Sequence, residues 1–272
     1  MYNQNQIRMC NGYWGSRIEF EMCDEFKNGR ITIDIRVMPE IIKIMSMARK
    51  EKNVYDAVKS VYTYFVKNFD YAYNLGTDLK YHSAVSVFMY KKSVCEGFAL
   101  AFANVLNRLG IPCGIVNGSS SFDGTFGAHA WNIVESDRKY YHLDVTWDIC
   151  TKEKGIDTFD YFWLDDKLVR KDHQWNDPSI PAASDSTKEF YTKNERCCIN
   201  ERECVSVIVA GLRQKKTNIS FRFIGNNCQN VIESQNLERL FECAAKRCHL
   251  DYHSVSLFVN STGGIVHFSL NY

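Results

Sequence analysis

Ser93-Val94-Cys95-Glu96-Gly97-Phe98-Ala99, running on toward Leu109-Gly110-Ile111-Pro112, is the stretch on which the reading of this chain turns. From Cys95 onward Phe98, Phe102, Val105, Leu106 and Leu109 fall on one stripe at helical spacing, which predicts an amphipathic helix. Gly110 supplies its stop, and Pro112 forbids continuation. Cys95 thus lies in the first turn, where backbone N–H groups lack helical partners and the macrodipole leaves partial positive charge. A thiolate is an anion, so this position favours ionisation below the free thiol value of about 8.5. The same amides can steady an oxyanion. Gly97 is expected to leave room for a substrate backbone beside the sulfur. The other reading of Cys95 is a small buried hydrophobe, the ordinary fate of free cysteine.

A thiolate nucleophile needs a neighbouring imidazole, and the imidazole needs a third group to fix its tautomer. Downstream of the Gly/Ser-rich loop 118–127, two strand-like runs, 129–135 and 139–146, flank Ser136-Asp137-Arg138. A tight turn centred between Ser136 and Asp137 would set His129 opposite Asp144, with Cβ atoms roughly 4.5–5.5 Å apart. His142 shares the Asp144 face and is the rival imidazole. However, Tyr140-Tyr141-His142 reads as cross-strand packing, with no glycine-bearing loop to open it. Asp148, past the strand end, reads as a cap or turn residue. Trp131 on the His129 face and Trp147 after the aspartate are candidates to wall an acyl tunnel, packing under the hairpin being their alternative.

Elsewhere, Ile31, Ile33, Ile35 and Val37 alternate with polar residues and predict a strand. Segments 40–52 and 54–69 have helical spacing, the second with Asn53 placed as its cap. Segment 71–80 reads as a loop, 111–116 as a short strand and 161–164 as an apolar run. The stretch 177–185 turns to Asp, Pro, Ser and Ala, a linker composition. Beyond it strands are expected over 205–212, 218–224, 255–259 and 265–270, with a helix over 237–248, a ββαββ order. The chain therefore divides into a polar segment 1–29, a core 30–177, a linker 178–190 and a small α+β domain 191–272.

With 272 residues, 45% of them apolar, the chain can bury a sizeable core. Its 33 basic and 32 acidic residues leave a formal charge of +1, which asks for no nucleic acid or anionic membrane. No stretch approaches the ~20 apolar residues of a membrane span. The polar start Met1-Tyr2-Asn3-Gln4-Asn5-Gln6 has no signal-peptide core, so a cytoplasmic location is expected, or secretion if a leader was removed. Eleven cysteines are many, and the odd number leaves at least one unpaired in a monomer. Cys243, Cys248, His249 and His253 invite a zinc reading, but their spacing lacks the paired C-x₂-C pattern of structural sites. A disulfide among the C-terminal cysteines is the alternative. No phosphate loop or dinucleotide fingerprint occurs, so no cofactor and no metal are expected.

Taken together, Ser93–Ala99, Leu109–Pro112, His129-Ala130-Trp131-Asn132 and Asp144-Val145-Thr146-Trp147-Asp148 resemble the transglutaminase-like superfamily of cysteine enzymes, in its bacterial form. Tyr62–Tyr71 upstream, and Tyr161–Asp166 with His173-Gln174-Trp175 downstream, resemble the flanking segments of that family. The resemblance spans about residues 30–177. It implies an α+β, papain-like core in which a helix bearing the Cys packs on an antiparallel sheet bearing His and Asp. Residue by residue it places Cys95 as nucleophile, His129 as general base and acid, and Asp144 as orienter. It implies attack on a glutamine or other amide of a protein or peptide, a thioester, and transfer to amine or water. A cysteine protease or amidase of the same superfamily is the first alternative, and a catalytically idle binding domain the second. Ile149 stands where relatives often have an acidic residue, and no calcium-site carboxylate cluster is visible. Tyr81 and His82, upstream of the cysteine, are candidates for the side-chain oxyanion donor, with packing or a surface place as the alternative.

Overall fold

The protein is described from a computed structural model over residues 7–8, 19–20, 30–73, 78–121, 124–152, 158–226, 228–250 and 252–272, with side chains from residue 36 onward. Helix α1 (Arg30–Ala48) opens the main body, followed by α2 (Val54–Asn68), α3 (Ala84–Tyr90) and α4 (Cys95–Arg108). Strands β1 (Cys113–Ser120), β2 (Gly127–Ser136) and β3 (Lys139–Leu143) come next, then α5 (Val145–Lys152), β4 (Phe162–Leu164) and β5 (His173–Gln174). These strands form an antiparallel sheet in the order β4-β3-β2-β1-β5. The fold class is α+β, as expected from the sequence.

The expected strand over 31–37 is helix instead, and the reason is a longer apolar period. Val37, Ile41, Ile44, Met45 and Ala48 are all buried and continue one helical stripe back through Pro39. That stripe packs against α2, whose start was legible: Asn53 caps it by accepting from the amide of Asp56. Aromatic edges then knit α2 to α4, with Phe65 against Phe102 at 5.3 Å and Tyr62 against Phe102 at 5.9 Å. Helix α4 lies on β2, where Asn132 donates to the carbonyls of Ala99 (2.9 Å) and Gly114 (3.2 Å). Its end is fixed by Gly110 at φ +78° and by Asn107, which both accepts from and donates to the Cys113 backbone.

The β2–β3 turn is centred on Asp137-Arg138, both left-handed at φ 55° and 61°, not between Ser136 and Asp137. The register is accordingly displaced by two residues from the expected one. Because side chains alternate with period two, that step leaves Asp144 on the face first assigned to it. Strand β3 stops at Leu143, however, and His129 pairs with Gly118 of β1.

The C-terminal part contains β6 (Cys197–Cys198), α6 (Glu201–Arg213), β7 (Asn218–Phe223), α7 (Ser234–Cys248), β8 (Ser254–Asn260) and β9 (Ile265–Asn271). Its sheet runs β6-β7-β9-β8, with one parallel pair, β6–β7. The expected strand over 205–212 lies inside α6. Cys204, Val205, Ile208, Gly211 and Leu212 are buried at helical spacing, and Asn200 caps the helix from outside that window. The α+β character stands, but the expected ββαββ order does not. The segment before this part is strapped to the main sheet: Lys139 and Tyr141 both donate to Asp185, at 2.6 and 2.8 Å.

A buried charge cluster joins the two parts. Arg222 of β7 donates to the Gly263 carbonyl (2.9 Å) and reaches Glu189 and the Asp160 carbonyl at 3.4 Å. His267 of β9 lies 3.1 Å from Asp160, which also accepts from Tyr191 (2.7 Å). Asp148, expected to be a cap or turn residue, is instead fully buried within α5, accepting from Tyr62, Thr158 and the amides of Asp160 and Tyr161. Burial, then the Asp160 charge, pushes the Asp148 carboxyl well up, while His267 and its other partners hold Asp160 low. Among the described residues, no helix is long and apolar enough to cross a membrane.

Candidate active site

Cys95 is the first residue of α4 and is half-buried. The first helical bond of α4 runs from Phe98 N to Val94 O, so the amides of Cys95, Glu96 and Gly97 precede the ladder. Tyr81 anchors this helix start from behind. Its carbonyl accepts from Val94 N (3.1 Å) and Ser93 Oγ (2.5 Å), and its ring is buried with Ala72 and Val94. His82 faces Glu96 at 2.7 Å, beside the cysteine.

Gly97 does not open a path to the sulfur; it lets α4 seat against the preceding chain. A Cβ there would meet Ser93 Oγ at 2.0 Å and the carbonyl oxygens of Ser83 and Tyr81 at 2.9 Å. Two of those obstacles are backbone and cannot swing away. Gly97→Ala is therefore expected to destabilise the fold by about 1–3 kcal/mol. In thermal unfolding this should appear as a drop of several degrees, whereas an unchanged midpoint would contradict so close a seat.

His129 projects from β2 with its side chain only 7% exposed. Its Nε2 is 2.5 Å from Asp144 Oδ2. Asp144 sits just past β3, where the chain turns into α5, and its Oδ1 accepts from the amides of Thr146 (2.9 Å) and Trp147 (3.2 Å). The carboxylate thus caps the start of α5 with one oxygen and holds the imidazole with the other. Tyr62 bonds the Asp144 carbonyl at 2.9 Å, fixing the backbone as well. Burial opposes the charge on His129, but Asp144, followed by a hydrogen bond and charge from Cys95, outweighs it and raises the imidazole to about 10. Burial likewise opposes ionisation of Asp144, yet His129 and then His173 hold its carboxyl well below the usual range.

The structure therefore brings together Cys95, His129 and Asp144, from a helix start, a strand and the turn after the neighbouring strand. Trp131 is 1% exposed and stacks beneath the His129 ring at 5.9 Å, a packing position instead of a tunnel wall. Trp147 meets the His129 ring edge-on at 6.2 Å and remains partly exposed. The rival His142 is turned away, accepting from Trp131 Nε1 at 3.0 Å and facing Asp166 at 2.9 Å.

Two neighbours had appeared in the sequence only inside flanking segments, with no place in the site assigned to them. Tyr71 lies beside the cysteine: burial raises its phenol, as do the charges of Cys95, Cys150 and Asp144. His173 of β5 is fully buried, with Nε2 3.0 Å from Asp144 Oδ2 and Nδ1 2.5 Å from Asp172. It reaches the site because β5 pairs antiparallel with β1 at Ser119 and Ser120, beside Gly118, where a Cβ would meet the Gln174 carbonyl at 2.1 Å. Neither the glycine nor the histidine announces this pairing in the local pattern.

Among the described residues, His129, Asp144 and His173 form one group of metal-capable side chains. Asp144 Oδ2 stands 2.5 and 3.0 Å from a nitrogen of each ring, closer than the about 3.3 Å between ligands of a tetrahedral zinc ion implied by Zn–N bonds near 2.0–2.1 Å. The group is thus fitted to share protons. Cys243, Cys248, His249 and His253 do not gather into such a group among the described residues. Helix α7 ends at Cys248, His249 turns left-handed at φ 47°, and no shared face forms. Cys197, Cys198, Cys204, Cys228, Cys243 and Cys248 are thiols, not the disulfide partners considered from the sequence.

Residues 44–145 match the family model described as the transglutaminase-like superfamily, a span that holds Cys95 and His129 and ends just after Asp144. The resemblance read from the sequence is borne out over that span. Among solved structures, the chain is similar to a TGase at 23% identity, with a TM-score of 0.39, over 46% of this chain and 34% of that one. It is also similar to a candidate cysteine protease from Cytophaga hutchinsonii at 19% identity, with a TM-score of 0.34, over 46% of this chain and 43% of that one. The match thus spans under half the length of either relative. No curated protein matches the chain.

Proposed function

We propose that this chain is a thiol acyl-transfer enzyme acting on glutamine or other amide groups of peptides or proteins, with Cys95 as nucleophile, His129 as general base and acid, and Asp144 as orienter. The single observation that carries the reading is the His129–Asp144 contact at 2.5 Å beside a thiol at a helix N-terminus. Because Nε2 is committed to Asp144, Nδ1 is the ring nitrogen left to exchange a proton with Cys95. The thiolate attacks the amide carbonyl, and the first amides of α4 steady the oxyanion. His129 then passes its proton to the departing ammonia or amine, leaving a thioester. An incoming amine, or water, loses a proton to His129 as it attacks, and the sulfur is released.

The three outcomes of that thioester are separated in one experiment. Incubation with a glutamine-containing casein and a fluorescent amine should release ammonia together with amine incorporation. Ammonia without incorporation would mean deamidation, and new N-termini would mean proteolysis. Absence of all three products, with Cys95 no more reactive than the other thiols, would favour a binding domain. Turnover is also expected to persist across neutral pH and to fall as pH rises through about 10, where His129 loses the proton it must donate.

A further inference from the structure

We propose that His173 is a positioning residue for this site: carrying a proton on each nitrogen between Asp144 and Asp172, it holds the same Asp144 oxygen that faces His129 and tempers the charge that His129 feels. The inference rests on the Cys95–His129–Asp144 reading and extends it by a second imidazole.

The case begins with the capacity of one carboxylate. Asp144 Oδ1 accepts two amide hydrogens and Oδ2 faces two imidazole nitrogens, His129 at 2.5 Å and His173 at 3.0 Å. With both oxygens used twice, the carboxylate has no alternative orientation of equal standing. His173 is itself held at both ends. Its Nδ1 is 2.5 Å from Asp172 Oδ1, and Asp172 Oδ2 accepts from Tyr161 at 2.7 Å. A neutral imidazole offers one donor and one acceptor, so it would turn a lone pair toward one of these carboxylates. The doubly protonated ring satisfies both. Burial pushes His173 down, but Asp144 and Asp172 together raise it, in keeping with that form.

The charged groups facing His173 are Asp144, Asp172 and His129, whose ring is 5.4 Å away. His142 lies on the other side of Trp131, and the Tyr161 hydroxyl faces the outer oxygen of Asp172. Trp131 and Trp147 close the remaining sides at 4.9 Å and keep the group dry. Since His129 stays protonated through neutral pH, a second positive ring this near acts as an added cation that favours the thiolate, while it eases release of the His129 proton. Asp144 alone would hold the His129 proton more tightly, hindering its transfer to a leaving amine.

The clamp is reached from a distant part of the chain. Asn260, at the end of β8, donates to the Tyr161 hydroxyl at 3.3 Å. The chain of contacts therefore runs from Cys95 through His129, Asp144, His173, Asp172 and Tyr161 to the C-terminal sheet.

The test is the pH dependence of Cys95 alkylation by iodoacetamide, read by peptide mass, in the full chain. It needs no substrate. In His173→Gln an amide N–H can still reach Asp144 but the charge is gone, so the onset of Cys95 reactivity should move up by about one pH unit. Asp172→Asn, which preserves shape and leaves Asp144 untouched, should move the onset in the same direction by less. It also decides the matter if His173→Gln does not fold. A structural part alone would lower the unfolding midpoint and slow labelling equally at every pH. An onset at the wild-type pH in either folded variant would overturn this inference. If wild-type Cys95 itself begins to react only near the free-thiol value, the acyl-transfer reading fails first, whatever the variants do.

Discussion

Cys95→Ala is expected to abolish amide turnover completely while shifting the unfolding midpoint by no more than a few degrees. The stability side follows from position. Cys95 is half-buried at a helix start, and alanine is an excellent helix former, so the loss of one sulfur should cost about 1 kcal/mol or less. The activity side follows from chemistry. Without sulfur no thioester forms, and the His129–Asp144 pair retains no nucleophile to activate. Labelling gives the complementary readout. Brief iodoacetamide treatment at pH 6 should modify Cys95 ahead of the other cysteines among the eleven in the chain, and the variant should lack that product. Full activity in the variant would require a different nucleophile.

Asp144→Asn should preserve the outline of the site and still lower the rate by about four orders of magnitude, by analogy with the aspartate of the serine triad. An amide in this place can present its N–H to the imidazole and so favour the wrong tautomer. Here the effect is compounded, since His129 and His173 both face the same oxygen. The substitution should also remove a pH-dependent share of stability. The Asp144 carboxyl is held below its unfolded value, so its contribution is present above about pH 4 and fades as acid protonates it. Unfolding free energies measured between pH 3 and 7 should therefore converge for wild type and variant toward the acid end. A rate within tenfold of wild type would remove Asp144 from the proposed mechanism.

The parts of this molecule that the sequence disclosed are those written in a single period. The α4 stripe and the caps at Asn53 and Gly110 are local, and each appears where expected. The errors arose where two periods compete. Residues 31–37 alternate convincingly, yet Val37 belongs to the apolar face continued by Ile41 and Ile44. Residues 205–212 are a run of β-branched residues that read as a strand, while their burial at helical spacing and an upstream asparagine cap place them in α6. At the site, His129 and Asp144 were paired on the right face through a turn placed one residue early. The contact is made by chain reversal after β3, not by the ladder. His173 was legible only as part of a flanking segment, because its place beside Asp144 comes from the pairing of β5 with β1 at Ser119 and Ser120, next to the close approach at Gly118, a tertiary fact.

The cluster around Asp160 bears on when, during synthesis, the fold can close. Asp160 takes a partner 107 positions further along, and Glu189 meets Arg222 33 positions on. A nascent chain that has emerged only as far as α5 and β4 holds Asp160 while His267, its partner from β9, is still untranslated. Water must occupy the cluster until β7 and β9 arrive, and only then are Asp160, Glu189 and Arg222 closed off from solvent. The contacts that tie Asp172 and Tyr161 to the C-terminal sheet through Asn260 are thus completed only near the close of translation.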